Sequence, residues 1–355
     1  MGINDVLSRS YVKWMDSSED NRDIVISSRV RLARNLTQIP FPHLLNQVNG
    51  EQCLGLIRNA CETSPGPVLA SMDMVTFDHL SVLDRQILAE KHLISPAHAD
   101  SSSPVKGVMV NDDGSLAVMI NEEDHLRMQC LLPGLQLKES YARVQELDDE
   151  FEQSLDYAFD EKRGYLTACP TNVGTGMRAS VMVHLPAIQF AGQLNQLLHN
   201  IDQLGLAVRG LYGEGSQPVG NFFQISNQIT LGQTEEEICN YLQTVTEQVV
   251  EQENLLREKL QHEMKYQLED KIGRAYGILS NARVIASDEA LTLLSAVRLG
   301  VDRHILEGIS LSSLNELMVA VRPAHLQKLG GRAMETIERD IKRAAVVKAK
   351  LTGVK

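Results

Sequence analysis

The sequence predicts an α+β fold: an antiparallel β-sheet flanked by helices, followed by an all-helical C-terminal region. Three observations carry this expectation. Between residues 22 and 232, short apolar runs alternate with Gly, Pro, Asn and Asp turns, the texture of strands joined by tight reversals. Near the middle of that stretch, apolar residues recur at 3- and 4-residue spacing, as in a helix packed on a sheet. From Thr234 onward the pattern is helical.

In chain order, Asp23–Ser27 begins a strand that runs into Ser27-Ser-Arg-Val-Arg-Leu-Ala-Arg34. Val105–Val110 and Ser115–Ile120 flank Asn111-Asp-Asp-Gly114 and read as a β-hairpin, since those turn residues tolerate a tight reversal. Leu137, Tyr141, Val144, Leu147, Phe151, Leu155 and Ala158 form one stripe and predict a helix over 137–162. Further strands are expected at Tyr165–Ala168, Ala179–Leu185, Leu206–Leu211 and Phe222–Ile229. Thr234-Glu-Glu-Glu237 has the pattern of a capping box opening a helix that passes Gln252. Ser287-Asp-Glu opens another helix, and Gly330-Gly331 precedes a last one ending near Lys350. The expected division is an N-terminal segment over 1–21, a catalytic domain over 22–255 and a helical domain over 256–355. The charged helix around 235–265 spans that last boundary.

Composition narrows the function classes. With 355 residues, 43% of them hydrophobic and 23% charged, the chain has material for a large core and for about two domains. No run of about 18 apolar residues occurs; Val181–Gly192 is interrupted by His184, Pro186 and Gln189. The opening MGINDVLSRS lacks a secretory pattern. Five cysteines (53, 61, 130, 169 and 239), without a CxxC, fit a reducing cytoplasm better than a disulfide or zinc scaffold. Against 46 acidic residues stand 34 basic ones, a net charge of −12, which disfavours direct nucleic-acid binding. The expectation is a cytoplasmic enzyme with no membrane segment and no metal ligands of its own.

Four motifs carry candidate chemistry. Arg29 and Arg31 alternate onto one face of their strand, where two guanidinium groups repel unless an anion lies between them. They are either a solvated basic edge or a phosphate ligand, because Arg forks match phosphate oxygens. Asn121-Glu-Glu-Asp-His-Leu-Arg127 ends a strand, either as a solvated acidic turn or as a reactive carboxylate pair. Cys169-Pro-Thr-Asn-Val-Gly-Thr-Gly176 has the glycine content of a phosphate loop but no GK[ST]. Its Cys169 reads as a small buried hydrophobe or as a reactive thiol. Arg209-Gly-Leu-Tyr-Gly-Glu-Gly215 suits a mobile lid.

Taken together and in order, SSRVR, NEEDHLR, CPTNxGTG with R-A-S-V, and RGxxGE resemble the catalytic domain of the phosphagen kinases, over about residues 22–250. The resemblance implies that family's glutamine-synthetase-like sheet and an ATP:guanidino phosphotransferase working with Mg²⁺. By motif position it implies Glu122, Glu123, Glu214 and Cys169 as catalytic residues. For the nucleotide it implies Ser27, Ser28, Arg29, Val30, Arg31, His92, Arg127, Arg178, Ala179, Ser180, Val181, Met182, and the lid Arg209, Gly210, Leu211, Tyr212, Gly213 and Glu214. The chemistry is consistent: five arginines offset phosphate charge, and carboxylates hold a guanidinium and accept its proton as the N–P bond forms.

Only about 20 residues precede the SSRVR strand, where phosphagen kinases carry a helical domain that closes over a small substrate. The acceptor site is therefore expected to be open, suited to an arginine presented on a protein. This arrangement, with a helical module behind, resembles the McsB-type bacterial protein arginine kinases. Arg339-Asp-Ile-Lys-Arg-Ala344 matches their R-D-x-x-R-A tail motif. It implies a phosphoarginine site of Arg339, Asp340, Arg343 and Ala344, with both arginines on one helix face. The implied partners are protein substrates presenting arginine, a zinc-binding McsA-type activator, the heat-shock repressor CtsR and a Clp ATPase–protease, with a homodimer or larger assembly. Two alternatives stand beside this: a kinase of free arginine or another small guanidino compound, and an inactive phosphoarginine-binding adaptor.

Overall fold

The computed structural model describes residues 2–16, 24–63, 66–210 and 219–353. A short helix α1 (Ile3–Ser8) leads to strand β1 (Val25–Arg34), then helices α2 (Gln47–Thr63) and α3 (Pro67–Ala70). Strand β2 (Met72–Thr76), helices α4 (Val82–Glu90) and α5 (Pro96–Ala99), and strands β3 (Gly107–Asn111), β4 (Leu116–Ile120) and β5 (Leu126–Pro133) follow. Next come α6 (Leu137–Glu152), β6 (Phe159–Asp160), β7 (Gly164–Tyr165), β8 (Met177–His184), α7 (Pro186–Phe190), α8 (Leu194–Gln203), β9 (Leu206–Arg209) and β10 (Phe222–Asn227). The rest is helical: α9 (Glu235–Glu263), α10 (Lys265–Asn281), α11 (Ser287–Asp302), α12 (Leu311–Ala320), α13 (Pro323–Gly330) and α14 (Thr336–Thr352).

Eight strands form one sheet in the order β2-β3-β4-β5-β1-β8-β10-β9, antiparallel at every pairing. The expected hairpin is β3–β4, with Val108 opposite Met119. Because side chains alternate, each strand serves two layers. Val30, Leu32, Met128, Cys130, Ala179, Val181 and Ile225 face a core filled by Cys53 and Ile57 of α2, Val144 and Leu147 of α6, and Leu242 of α9. Ile26, Leu131, Met182 and Phe222 face the other way, onto a second core shared with Trp14, Leu88 of α4, Leu294 of α11 and Leu317 of α12. The C-terminal helices and the N-terminal segment thus cover one end of the sheet's second face.

The predicted helix over 137–162 stops at Glu152. Leu155 and Ala158 are still buried, but the backbone there leaves the helix to pair with the segment after β1: Thr37 N–H donates to Asp156 O at 3.0 Å, and Ala158 N–H to Asn35 O at 2.7 Å. The strand expected at Tyr165–Ala168 is reduced to Gly164–Tyr165. The capping box at Thr234 forms as expected, with Glu237 N–H donating to Thr234 Oγ1 at 3.2 Å and Glu237 Oε2 accepting from Thr234 N at 2.8 Å. Residue 255 falls inside α9, which continues to Glu263; the chain first leaves helical geometry at Met264. No helix among the described residues is long and apolar enough to cross a membrane.

A buried polar seam joins the sheet to the helical region. Arg257 of α9, with no exposed side-chain surface, donates to Glu253 and Asp302 at 2.8 Å each and to His184 O at 3.0 Å. Glu253 also accepts from Ala187 and Ile188 N–H at 2.9 Å, capping α7. Buried charges of this kind are tolerable because each is paired and hydrogen-bonded.

Burial pushes His98 and His125 down to about 4, outweighing the carbonyl that each imidazole meets, Gly107 O and Pro40 O respectively, which acts in the opposite direction. An unfolded histidine titrates near 6.5, so below that pH the unfolded chain binds protons the native chain refuses. This contribution is fully present above pH 6.5 and is lost as pH falls toward 4, by ~1.4 kcal/mol per pH unit for each group. Urea denaturation from pH 7 to 4 should show that decline, and replacing His125 with Gln should reduce its slope; a slope that stays the same would remove His125 from the account.

Candidate active site

The sheet register builds the site floor. Arg31 lies directly opposite Arg178 of β8 and Gln129 of β5; Arg29 lies opposite Ser180; Gln224 of β10 lies opposite Arg209 and Met182. Arg127 is one row along, opposite Met119 and Ala33. These positions share one sheet face. Arg29, Arg31, Arg127, Gln129, Arg178, Arg209 and Gln224 line a cavity of about 590 Å³ that also holds Glu122, Glu123 and His92. Arg34 has the other strand parity and points into the opposite layer, where it pairs with Asp148 and lies 3.4 Å from the Tyr165 ring centre.

Like charges directly opposite on a sheet repel. Burial, then Arg127 and Arg178, pushes Arg29 down to about 9; burial, then Arg29, Arg127 and Arg178, pushes Arg31 well down as well. Guanidinium groups stay cationic at neutral pH, so the strain is relieved by an anion. Hydroxyls and amides separate the forks: Arg29 Nε donates to Ser180 Oγ at 3.4 Å, Arg178 Nη2 to Ser226 Oγ at 3.2 Å, and Gln224 Nε2 to Ser180 Oγ at 2.7 Å.

The acidic turn hangs over the cavity's edge. Asn121 adopts φ 55°, a left-handed conformation that Asn accepts better than most residues. Its amide donates to Val105 O at 2.7 Å. Glu122 receives Ser95 Oγ at 2.6 Å and Arg127 Nη1 at 2.6 Å. Burial alone would raise this carboxyl, but Arg127 and the Ser95 hydroxyl outweigh it and hold Glu122 down to about 2. Glu123 also meets Arg127, at 3.4 Å, and its side chain is 43% exposed against 8% for Glu122. His92 follows α4 with φ 63°, packs edge-on to Trp14 with ring centres 5.4 Å apart, and is pushed down to about 3 by burial.

The expected residues do not all converge. Ser27, Ser180 and Met182 reach a narrow crevice of about 10 Å³ bounded also by Arg29 and His92. Val30, Ala179 and Val181 have the wrong parity and sit in the core beneath the sheet. Ser28 donates to Gly134 O at 2.8 Å and accepts from Gln136 N, so its hydroxyl ties a turn. Gly210 is buried beyond Arg209, outside the cavity lining. Leu211, Tyr212, Gly213 and Glu214 lie outside the described residues.

Cys169 is half-buried at the head of a single 3₁₀ turn, Pro170–Asn172, with Sγ 3.0 Å from Thr171 Oγ1, and does not line the cavity. The glycines after it serve packing. Gly174 has φ 116°, and a Cβ there would stand 2.6 Å from Thr230 O; Gly176 has φ 65° and faces Ala33 O at the same distance. Sequence reasoning missed Ser95, Lys106, Gln129, Gln224 and Ser226, all in the cavity lining. Gln129 was accessible by alternation from Arg127, whereas Ser95 and Lys106 carry no local signal.

In the tail, the i, i+4 arginines of α14 do not form an open pair. Arg343 is 2% exposed and donates to Val321 O and Ile285 O at 2.8 Å each, and to Asp340. Ala344 is core. Arg339 is half-buried and donates to Met334 O at 3.3 Å and Thr336 Oγ1 at 3.1 Å. The expectation of two arginines facing a ligand is corrected here: Arg343 turns inward because two carbonyls, one beyond α12 and one before α11, need donors. Replacing Arg343 with Ala should cost ~1–3 kcal/mol, the range for leaving buried acceptors unsatisfied. A urea midpoint unchanged from the parent would overturn that structural role.

Residues 57–256 match the family described as ATP:guanido phosphotransferase, C-terminal catalytic domain, and residues 265–355 match the protein-arginine kinase McsB C-terminal domain. A protein-arginine kinase of Syntrophomonas wolfei is 59% identical over 352 residues, covering 99% of this chain and 98% of that protein. One from Pelotomaculum thermopropionicum is 48% identical, covering 100% and 99%. Among solved structures, the duplicated taurocyamine kinase of Schistosoma mansoni with bound transition-state analog components superposes with TM-score 0.60 and 26% identity, over 70% of this chain and 36% of that one. A lombricine kinase, at 22% identity, shares the fold with TM-score 0.59 over 70% of this chain and 72% of that one. With a guanido-phosphotransferase domain leading into the helical domain found behind it in its relatives, the chain belongs to the protein-arginine kinase family.

Proposed function

We propose that the chain transfers the γ-phosphoryl group of ATP to a guanidinium nitrogen of arginine residues in proteins. The observation that carries this reading is the gathering of Arg29, Arg31, Arg127, Arg178 and Arg209, from four strands, with Glu122 and Glu123 around one cavity. Phosphoryl transfer asks chiefly for positioning and charge neutralisation, and that lining is suited to both. The arginine forks hold the phosphate oxygens. Mg²⁺, where present, would be held beside Glu122 and would supply positive charge to offset that of the phosphates. Its fit rests on Glu122, an ionised carboxylate in the lining, since no group of three metal-ligating side chains is assembled among the described residues.

The acceptor is a cation and a poor nucleophile until it loses a proton. Glu123, the more exposed carboxylate, takes that proton as the N–P bond forms and the bond to the ADP oxygen breaks. Glu214 is the second carboxylate of this reading, and Cys169 lies on the acceptor side. By the same resemblance, the marked proteins pass to a Clp ATPase–protease, the repressor CtsR is a substrate, an McsA-type protein activates, and the enzyme works in the cytoplasm as a dimer or larger assembly in the stress response. A phosphoarginine-reading role for the tail falls to Arg339 and Asp340, with Arg343 supporting Asp340 from behind. Coupling of that role to the kinase would make it allosteric.

Replacing Glu123 with Gln should leave ATP binding intact and lower transfer by at least ~10²-fold, the scale of a lost general base. Glu214→Gln should act in the same direction, and near-normal rates in both would reject the carboxylate mechanism. Acceptor class is read by comparing ADP release with free arginine and with unfolded β-casein. Faster turnover on free arginine would favour the small-guanidino alternative, and no ADP release with either would favour the adaptor. Titration of phosphoarginine into Arg339→Ala should show affinity reduced by about one to two orders of magnitude, as loss of a charge-assisted contact implies; parental affinity would return α14 to an ordinary surface.

A further inference from the structure

The turn that carries Glu123 and the loop that carries Cys169 are far apart in sequence, yet one buried group ties them. We propose that Asp124 is a positioning residue for the acceptor side: with Asn35, its carboxylate clamps the Glu123 turn to the Cys169 loop. The proposal rests on the reading above, in which those two side chains face the acceptor.

Asp124 has no exposed surface. Its Oδ1 accepts from Asn35 Nδ2 at 2.6 Å and from Ala168 N–H at 2.8 Å. Asn35, just beyond β1, completes the clamp: its Oδ1 accepts from His125 N–H at 3.0 Å, and its Nδ2 also reaches Leu166 O at 3.1 Å. One side-chain pair therefore engages both residues that follow Glu123 and two of the three that precede Cys169. None of these five residues lines the cavity, so the clamp touches no side chain of its lining.

A carboxylate is a costly choice for this place. Asp124 Oδ2 is buried and has no hydrogen-bond partner, and an asparagine would offer the same accepting oxygen with no charge to desolvate. What the carboxylate adds is acceptor-only chemistry. Both of its contacts on Oδ1 are with donors, and neither rotamer of a carboxylate presents an N–H to the Ala168 amide, as a flipped asparagine would. The clamp is thus held in one orientation.

The test uses the full-length protein with Asp124→Ala and Asp124→Asn. Three quantities are read: ATP affinity by calorimetry, KM and kcat with unfolded β-casein, and the iodoacetamide reaction rate of Cys169 by mass spectrometry. Asp124→Ala should raise the acceptor KM about tenfold or more and change the Cys169 rate at least threefold, with ATP affinity within twofold of the parent. Asp124→Asn, which retains Oδ1, should keep the Cys169 rate within twofold. A folded Asp124→Ala with parental KM and Cys169 rate overturns the proposal, as does an ATP affinity that falls in step with acceptor affinity. If Asp124→Ala does not fold, Asn35→Ser carries the same test from the β1 side with the same expected signature. The Cys169 rate needs no turnover, so it reads the clamp even if protein-arginine phosphorylation itself fails to appear.

Discussion

Placing four arginines in adjacent rows of one sheet face is the constraint on which the rest of the fold depends. Arg31 faces Arg178 directly across the β1–β8 ladder, with Arg29 and Arg127 beside them, and burial makes Arg29 and Arg31 more costly still. A flexible surface would relax by splaying these side chains apart. Here the strands cannot separate, because the residues between the arginines, Val30, Leu32, Ala179 and Val181, belong to a continuous apolar core on the reverse face. Hydrophobic burial below the sheet thus holds charge repulsion above it. The result is a site pre-organised for an anion, which loses little entropy when one arrives.

The same sheet face also explains why chain ends far from the site are built into the fold. Its other half is apolar and has to be covered, and the N-terminal segment and the C-terminal helices do so. Contacts converge on the end of α4. Glu90 accepts from Ala324 and His325 N–H at the start of α13, at 2.8 and 3.0 Å. Lys91 is fully buried, reaching Val6 and Arg9 carbonyls, while its own carbonyl accepts from Trp14 Nε1 at 3.0 Å. His92 then enters the cavity lining. Three successive residues therefore touch the helical region, the N-terminal segment and the site, which makes α4 a physical connection between them.

Sequence legibility followed periodicity. Strand parity placed Arg29 and Arg31 together, the hairpin turn marked β3–β4, and the Thr234 box marked the start of α9, because each depends on neighbours a few residues apart. The helix over 137–162 was overextended because the stripe persists through Leu155 and Ala158, whose burial comes from pairing with residues 35–37 instead. Nothing local reports that pairing. The motifs bring Val30, Ala179 and Val181 into the nucleotide expectation as backbone, and parity sends their side chains to the core. Arg343 is the subtler case. Helical spacing correctly put it on a face with Arg339, but which way that face turns is decided by Ile285 and Val321, 58 and 22 residues away.

The two halves of the site are built from different materials. The arginines sit on β1, β5 and β8, each paired with a strand on either side, and on the edge strand β9, paired with β10. Glu122 and Glu123 sit on the turn before β5, held by side-chain hydrogen bonds from Ser95 and Arg127. Rigid strands suit a ligand that never changes, and loops are where contacts can be altered without disturbing a core. NEEDHLR straddles this division within seven residues: Arg127 is the second residue of β5, while the two glutamates hang from the turn before it. Arg127 bonds to both carboxylates, so the two halves are not independent.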